Sequence, residues 1–209
     1  MGSPQTLSEA DRRIVAAWAA DCAERVLGLF EAEAPGDHRP RDSIARTRAF
    51  ARGELGVAGE IRRRFVGSTA AREVSAPAAV AAARAAGQAA AIPHMGAHAL
   101  GAAAYAAKAA GLATPDQPDA VSQEIRGQLD RMSTQARAAL RQLPPVGANS
   151  SGPLGPGLLA SGLLGTIIRD LQASLADPDY TLAPKTQADH EDRMKFKQPV
   201  EVHVTERLA

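Results

Sequence analysis

Two histidines stand four residues apart in His94-Met95-Gly96-Ala97-His98. On a helix that spacing puts both imidazoles on one face, where two ring nitrogens can ligate one zinc or another divalent transition metal ion. Position 95 is methionine, so the glutamate that helical metalloproteases set beside their first histidine as a base is missing, and protease chemistry gets no support. A metal site also needs a third ligand. The block Asp21-Cys22-Ala23-Glu24-Arg25 can supply it from Cys22, Asp21 or Glu24 if the first helix lies beside the histidines. Without a metal, the histidines would be hydrogen-bonded inside a helix interface. Cys22 is open to two readings: a nucleophile paired with a histidine, or a small core residue at helical spacing from Trp18 and Val26. A third block, Asp37-His38-Arg39-Pro40-Arg41-Asp42, is a charged turn at a helix start. Its arginines either pair with its aspartates or face a carboxylate or phosphate.

The histidines sit within the segment from Ala78 to Ala110, where 19 of 33 residues are alanine. At about 100° per residue, Arg84, Gln88, His94, His98, Tyr105 and Lys108 fall on less than half of the helical circumference. Small side chains let neighbouring helices approach closely, which makes this segment the central helix of an all-α, multi-helix bundle. Its polar stripe is then a wet face or a site. Pro93 lacks a backbone donor, so a kink or two stacked helices is expected there.

The flanking elements read as helices too. Ser8 and Asp11 form a capping pair for a first helix carrying Ile14, Val15, Trp18, Cys22, Val26, Leu29 and Phe30, ending by Pro35-Gly36. Pro40 opens a second helix with Ile44, Thr47, Ala51 and Leu55 on one face. A break near Gly56 precedes a third with Ile61 and Phe65. Ser75 is expected to cap the helix after that, with Pro77 in its first turn. Thr114 to Pro118 is a loop, Val121, Ile125, Leu129 and Met132 mark another helix, and Ser133 starts one that Pro144-Pro145 ends.

These signals divide the chain into a helical bundle over 1–146, a connector and amphipathic helix over 147–176, and a tail over 177–209. Residues 147–157 have a flexible composition. The helix over 158–175 puts Leu164, Ile167, Ile168, Leu171 and Leu175 on one side, a face that docks on the bundle or joins two copies of the chain. The tail is polar and proline-punctuated, hence extended or partly disordered. Within it Val200 to Val204 alternates at strand period and offers a second route to a homodimer.

With 24 basic and 23 acidic side chains the net charge is +1, so no overall field draws the chain to nucleic acid. The one cysteine allows no internal disulfide, the first residues do not read as a signal peptide, and no apolar run reaches the roughly 18 residues of a membrane span. A cytoplasmic location with no membrane contact is expected. No phosphate-cradling glycine motif or nucleophile elbow occurs.

The order of Trp18-Ala-Ala-Asp21-Cys22-Ala-Glu24-Arg25, Asp37-His-Arg39-Pro40-Arg41-Asp-Ser-Ile44, His94-Met-Gly-Ala-His98 and Tyr105-Ala-Ala-Lys108 resembles the actinobacterial immunity protein family of the immunity-five-like domain, over about Leu7 to Val146. The resemblance implies a helical protein that acts by binding rather than catalysis. Its polar blocks fall on Asp21, Cys22, Glu24, Asp37, Arg39, Arg41, His94, His98, Tyr105 and Lys108, with no role attached to any one of them. The expectation is therefore a non-catalytic, cofactor-free binding protein that neutralises a protein toxin or a small molecule. Its polar cleft on the central helix would use Asp21, Glu24, Asp37, Arg39, Arg41, Arg84, Gln88, Tyr105 and Lys108. The competing expectation is a metal-binding protein or metallohydrolase built on His94 and His98 with a ligand such as Cys22 from the first helix.

Overall fold

The computed structural model describes residues 3–177. The expectations for the tail, including its extended character and the strand at 200–204, lie outside the described residues. Among the described residues there are nine α-helices and no strand: α1 (Glu9–Glu31), α2 (Arg39–Ala51), α3 (Val57–Arg63), α4 (Val66–Thr69), α5 (Pro77–Ala90), α6 (His98–Ala113), α7 (Ala120–Asp130), α8 (Thr134–Leu140) and α9 (Gly162–Ala176).

The caps show how local chemistry sets these limits. Ser8 Oγ accepts from the Asp11 amide at 3.0 Å, and Ser133 Oγ from the Ala136 amide at 3.1 Å, each satisfying a donor that the first helical turn leaves open. Ser75 is not the cap expected for α5. The cap position is Ala76, and the carboxylate of Glu33, just past α1, accepts from the amides of Ser75 at 2.7 Å and Ala76 at 3.1 Å. An acidic group at the positive end of the helix replaces the hydroxyl.

The alanine-rich segment is two helices rather than one, and they lie side by side. Pro93 stops α5, and the chain reverses so that α6 runs antiparallel along it, with Arg84 beside Tyr105 and Gln88 beside His98. The turn is strapped by the residues before α1. The amides of Gly96 and Ala97 donate to the carbonyls of Thr6 and Gln5, both at 3.0 Å. Helix α1 covers the hairpin with Val15, Ala16, Ala19, Ala23 and Val26, while α7 and α9 flank α6, which is buried from Ala99 to Ala107.

Two other expectations change in three dimensions. Residues 147–157 are pinned rather than free. The fully buried Gln5 side chain donates to Ser151 O at 2.7 Å and accepts from the Leu154 amide at 2.9 Å, and Leu154 enters the core. Phe65, expected on the apolar face of a third helix, sits where α3 breaks before α4 and is 61% exposed. The apolar face of α9, from Leu164 to Leu175, is buried within the chain.

Glycine allows the closest approach of all. A Cβ at Gly87 would lie 2.9 Å from the backbone nitrogen of Ser68 in α4, whereas one at Gly28, on the outer side of α1, meets nothing. Gly87→Ala should therefore destabilise the protein by about 1–3 kcal/mol despite better helix propensity, and Gly28→Ala should stabilise it by about 0.5–1 kcal/mol. Urea unfolding of both variants checks this. Equal stabilisation by both would show that α4 does not bear on α5 at Gly87.

Candidate functional site

The expected site residues separate into two groups. Those on α1 and α2 are consumed by ion pairs. Arg48 bridges Asp21 at 2.7 Å and also Glu24, Arg39 folds back on Asp37, and Arg41 holds Glu31 in two parallel contacts of 2.7 Å. Their electrostatics agree with this. The hydrogen bond from Arg48 holds the Glu24 carboxyl below its ordinary range, and that from Arg39 does the same for Asp37. Arg48 itself, which the sequence did not single out, is the hub of this group. These side chains tie α1 to α2 and the turn between them.

The second group, on the hairpin, has no carboxylate partner among the described residues. Gln88 and Arg84 are one turn apart on the outer side of α5, and His98, Tyr105 and Lys108 follow one side of α6 over about 15 Å. Arg84 Nη1 donates to the Tyr105 hydroxyl oxygen at 3.3 Å, and His98 Nδ1 is 2.8 Å from Gln88 Oε1. The amide oxygen can only accept, so Nδ1 carries a proton and donates it to Gln88. Arg64, at the end of α3, joins this face from the other flank, with its guanidinium stacked 4.2 Å from the centre of the exposed Phe65 ring. The expected stripe thus exists as a seam between two antiparallel helices, not as one face of a continuous helix.

The histidine pair departs from its expected geometry for the same reason. His94 belongs to the turn after Pro93 and His98 is the first residue of α6, so they do not share a helical face. Their ring centres are 6.5 Å apart. Among the described residues no three His, Cys, Asp or Glu side chains gather closely enough to hold one ion. Cys22 lies elsewhere, 1% exposed inside the core. Burial, and then the charges of Glu124 and Asp21, push its thiol well above the ordinary range, which disfavours the thiolate a nucleophile needs.

Next to Cys22 is a polar lock that spacing could not reveal. Arg25 on α1 grips the buried carboxylate of Glu124 on α7 at 2.7 and 2.8 Å. Gln128 donates to the same carboxylate at 3.0 Å, and the Trp18 indole donates to the Gln128 carbonyl at 2.9 Å. Arg25 and Glu124 are 99 residues apart in sequence, and nothing local links Glu124 to the block that contains Arg25.

Residues 5–135 match the family described as Imm-5 like putative immunity protein. The chain belongs to that family. No curated protein and no solved structure matches it. The family match takes in Gln5 with its strap, both hairpin helices and the Arg25 to Glu124 lock, and it stops within α8. Membership in this family points to an immunity role. No helix among the described residues is long and apolar enough to cross a membrane.

The neutral state of His98 has a pH signature. Burial, then the positive charges of His94 and Arg64, lower its pKa to about 4. The unfolded chain takes up that proton near the ordinary value of about 6.5. Between these values the unfolded state binds more protons, so this contribution is complete above 6.5 and is lost as pH falls to 4, by up to about 3 kcal/mol. His98→Gln should flatten the rise in stability between pH 4.5 and pH 7, measured by urea unfolding; a slope equal to that of the parent would place a charged ring in the native state.

Proposed function

We propose that this immunity-family chain is a non-catalytic binding protein that neutralises a protein toxin by covering an acidic part of it with the outer face of the α5 and α6 hairpin. One observation carries the reading. Among the described residues no carboxylate stands within ion-pair distance of Arg64, Arg84, His94 or Lys108, whereas Asp21, Glu24, Asp37, Arg39 and Arg41 are all paired. Burial, and then neighbouring positive charge, shifts the protonation of two groups on this face, His98 beside His94 and Arg64 and Lys108 beside Arg84, and no carboxylate opposes either shift. With a net charge of only +1, such a face is a local concentration of charge, not a property of the whole surface.

A face of this kind steers an acidic partner and fixes its orientation. Phe65, with Arg64 stacked on it, adds an aromatic and arginine pair of the type that dominates binding energy at protein interfaces. The binding needs no cofactor, and the single, buried cysteine suits the reducing cytoplasm in which a producing cell must meet its own toxin.

The test is a protection assay. Genomic fragments from the source strain are expressed in a bacterial host with and without this chain, and fragments tolerated only in its presence are kept. Co-expression of Arg64→Glu combined with His94→Glu should abolish protection while the variant melts like the parent, and Arg41→Gln, on the internally paired face, should protect fully. Recovery of no dependent fragment, or protection by the double variant equal to that of the parent, would overturn the proposal.

A further inference from the structure

Midway along the hairpin face three donor-bearing side chains, Arg84, Tyr105 and Lys108, follow one line without a carboxylate partner among the described residues. Arg84 Nη1 donates to the phenol oxygen of Tyr105, and its guanidinium carbon is 5.8 Å from the ring centre. With that oxygen already accepting, the hydroxyl proton is directed away from Arg84, and it meets no acceptor among the described residues. Lys108 is one turn further along the same side of α6, half-buried, and also without a hydrogen-bond or ion-pair partner among the described residues. Burial, and then the charge of Arg84, hold its ammonium below the ordinary range. Lys108 is thus held within reach of the Arg84 charge, and no carboxylate in the described fold compensates the two.

We infer that Arg84, Tyr105 and Lys108 form a binding site for one oxyanion, a carboxylate or a phosphoryl group. Tyr105, only 4% exposed, supplies a fixed donor at the floor, and the flanking guanidinium and ammonium supply charge. A guanidinium can present two parallel N–H groups to either kind of oxyanion, and the ammonium acts as a point charge beside it. The inference deepens the toxin-binding reading and rests on it for the source of the anion, an acidic side chain of the partner; a small phosphorylated molecule offers the same chemistry.

The site is testable without any partner. Tyr180→Phe leaves Tyr105 as the only tyrosine, so its ring carbons can be followed by NMR after 13C-tyrosine labelling. Sodium phosphate and sodium acetate are titrated separately, with sodium chloride holding ionic strength constant. The site predicts a saturable shift that becomes at least tenfold weaker in Arg84→Gln and in Lys108→Gln, both melting like the parent. Tighter binding of phosphate would assign a phosphoryl ligand, and comparable binding of acetate would assign a side-chain carboxylate. A shift that does not saturate, or one that survives both substitutions unchanged, would overturn the inference. Saturable anion binding together with failed protection in the co-expression assay would count against the toxin reading and leave the site standing.

Discussion

Close approach of α1, α5 and α6 is the constraint on which the rest of the molecule depends. Three helices meet along faces from which little more than a methyl group projects: Ala16, Ala19 and Ala23 on α1, Ala82, Ala85, Ala86 and Ala89 on α5, and Ala99 to Ala107 on α6 with Leu100 and Tyr105 as the two large side chains. Near contact along whole helices replaces bulk, and the many short carbon to carbon contacts sum to a large dispersion gain. The arrangement tolerates little growth. At Gly101 a methyl group would run into the Gln88 amide and Leu159, and at Gly67 into Ser43.

That constraint also places the polar chemistry. A long side chain on α5 or α6 cannot enter the interface, so Arg84, Gln88, His98 and Lys108 are driven to the line where the two helices part toward solvent. Their clustering follows from packing. Their lack of acidic partners does not, because α1 and α2 show that the same chain readily matches its arginines with carboxylates. Pairs such as Arg41 with Glu31 lie at the surface, where water screens them and their contribution to stability is small. Arg25 with Glu124 differs: the carboxylate is buried, so loss of either partner leaves an uncompensated charge inside the bundle. The chain thus matches the charges between α1 and α2 and in the Arg25 to Glu124 lock, and leaves Arg84 and Lys108 on the hairpin without a carboxylate among the described residues.

Much of this was legible in residue spacing. The all-α class followed from alanine content and apolar periodicity, and the caps at Ser8 and Ser133 from single residues. Pro93 marked where the central segment breaks but not whether its halves stack end to end or fold side by side. Both outcomes put Arg84 near Tyr105 in angle, and only the hairpin brings them into contact. Ser75 misled because a distant carboxylate, Glu33, outcompetes a local hydroxyl for the same amides. The composition of residues 147–157 misled because one buried side chain 146 residues earlier in sequence, Gln5, supplies the partners that a glycine-rich loop cannot give itself. Likewise, the ion pairs that occupy Asp21, Glu24 and Arg41 depend on tertiary neighbours that no local window contains.

A binding face made of helix surface differs in kind from one made of loops. Because α5 and α6 are held by α1, α4, α7 and α9, the backbone beneath Arg84, Tyr105 and Lys108 is already ordered, and an incoming partner need fix only side-chain rotamers. The repulsion of Lys108 by Arg84 is present before binding and would be relieved by the proposed anion. Relief of pre-existing repulsion counts toward affinity just as a new attraction does. It also discriminates: a neutral or basic surface gains nothing from docking there and meets like charge along the whole seam. On the proposed reading, an interior closed by alanine beneath a rigid line of uncompensated charge would give selectivity and readiness together.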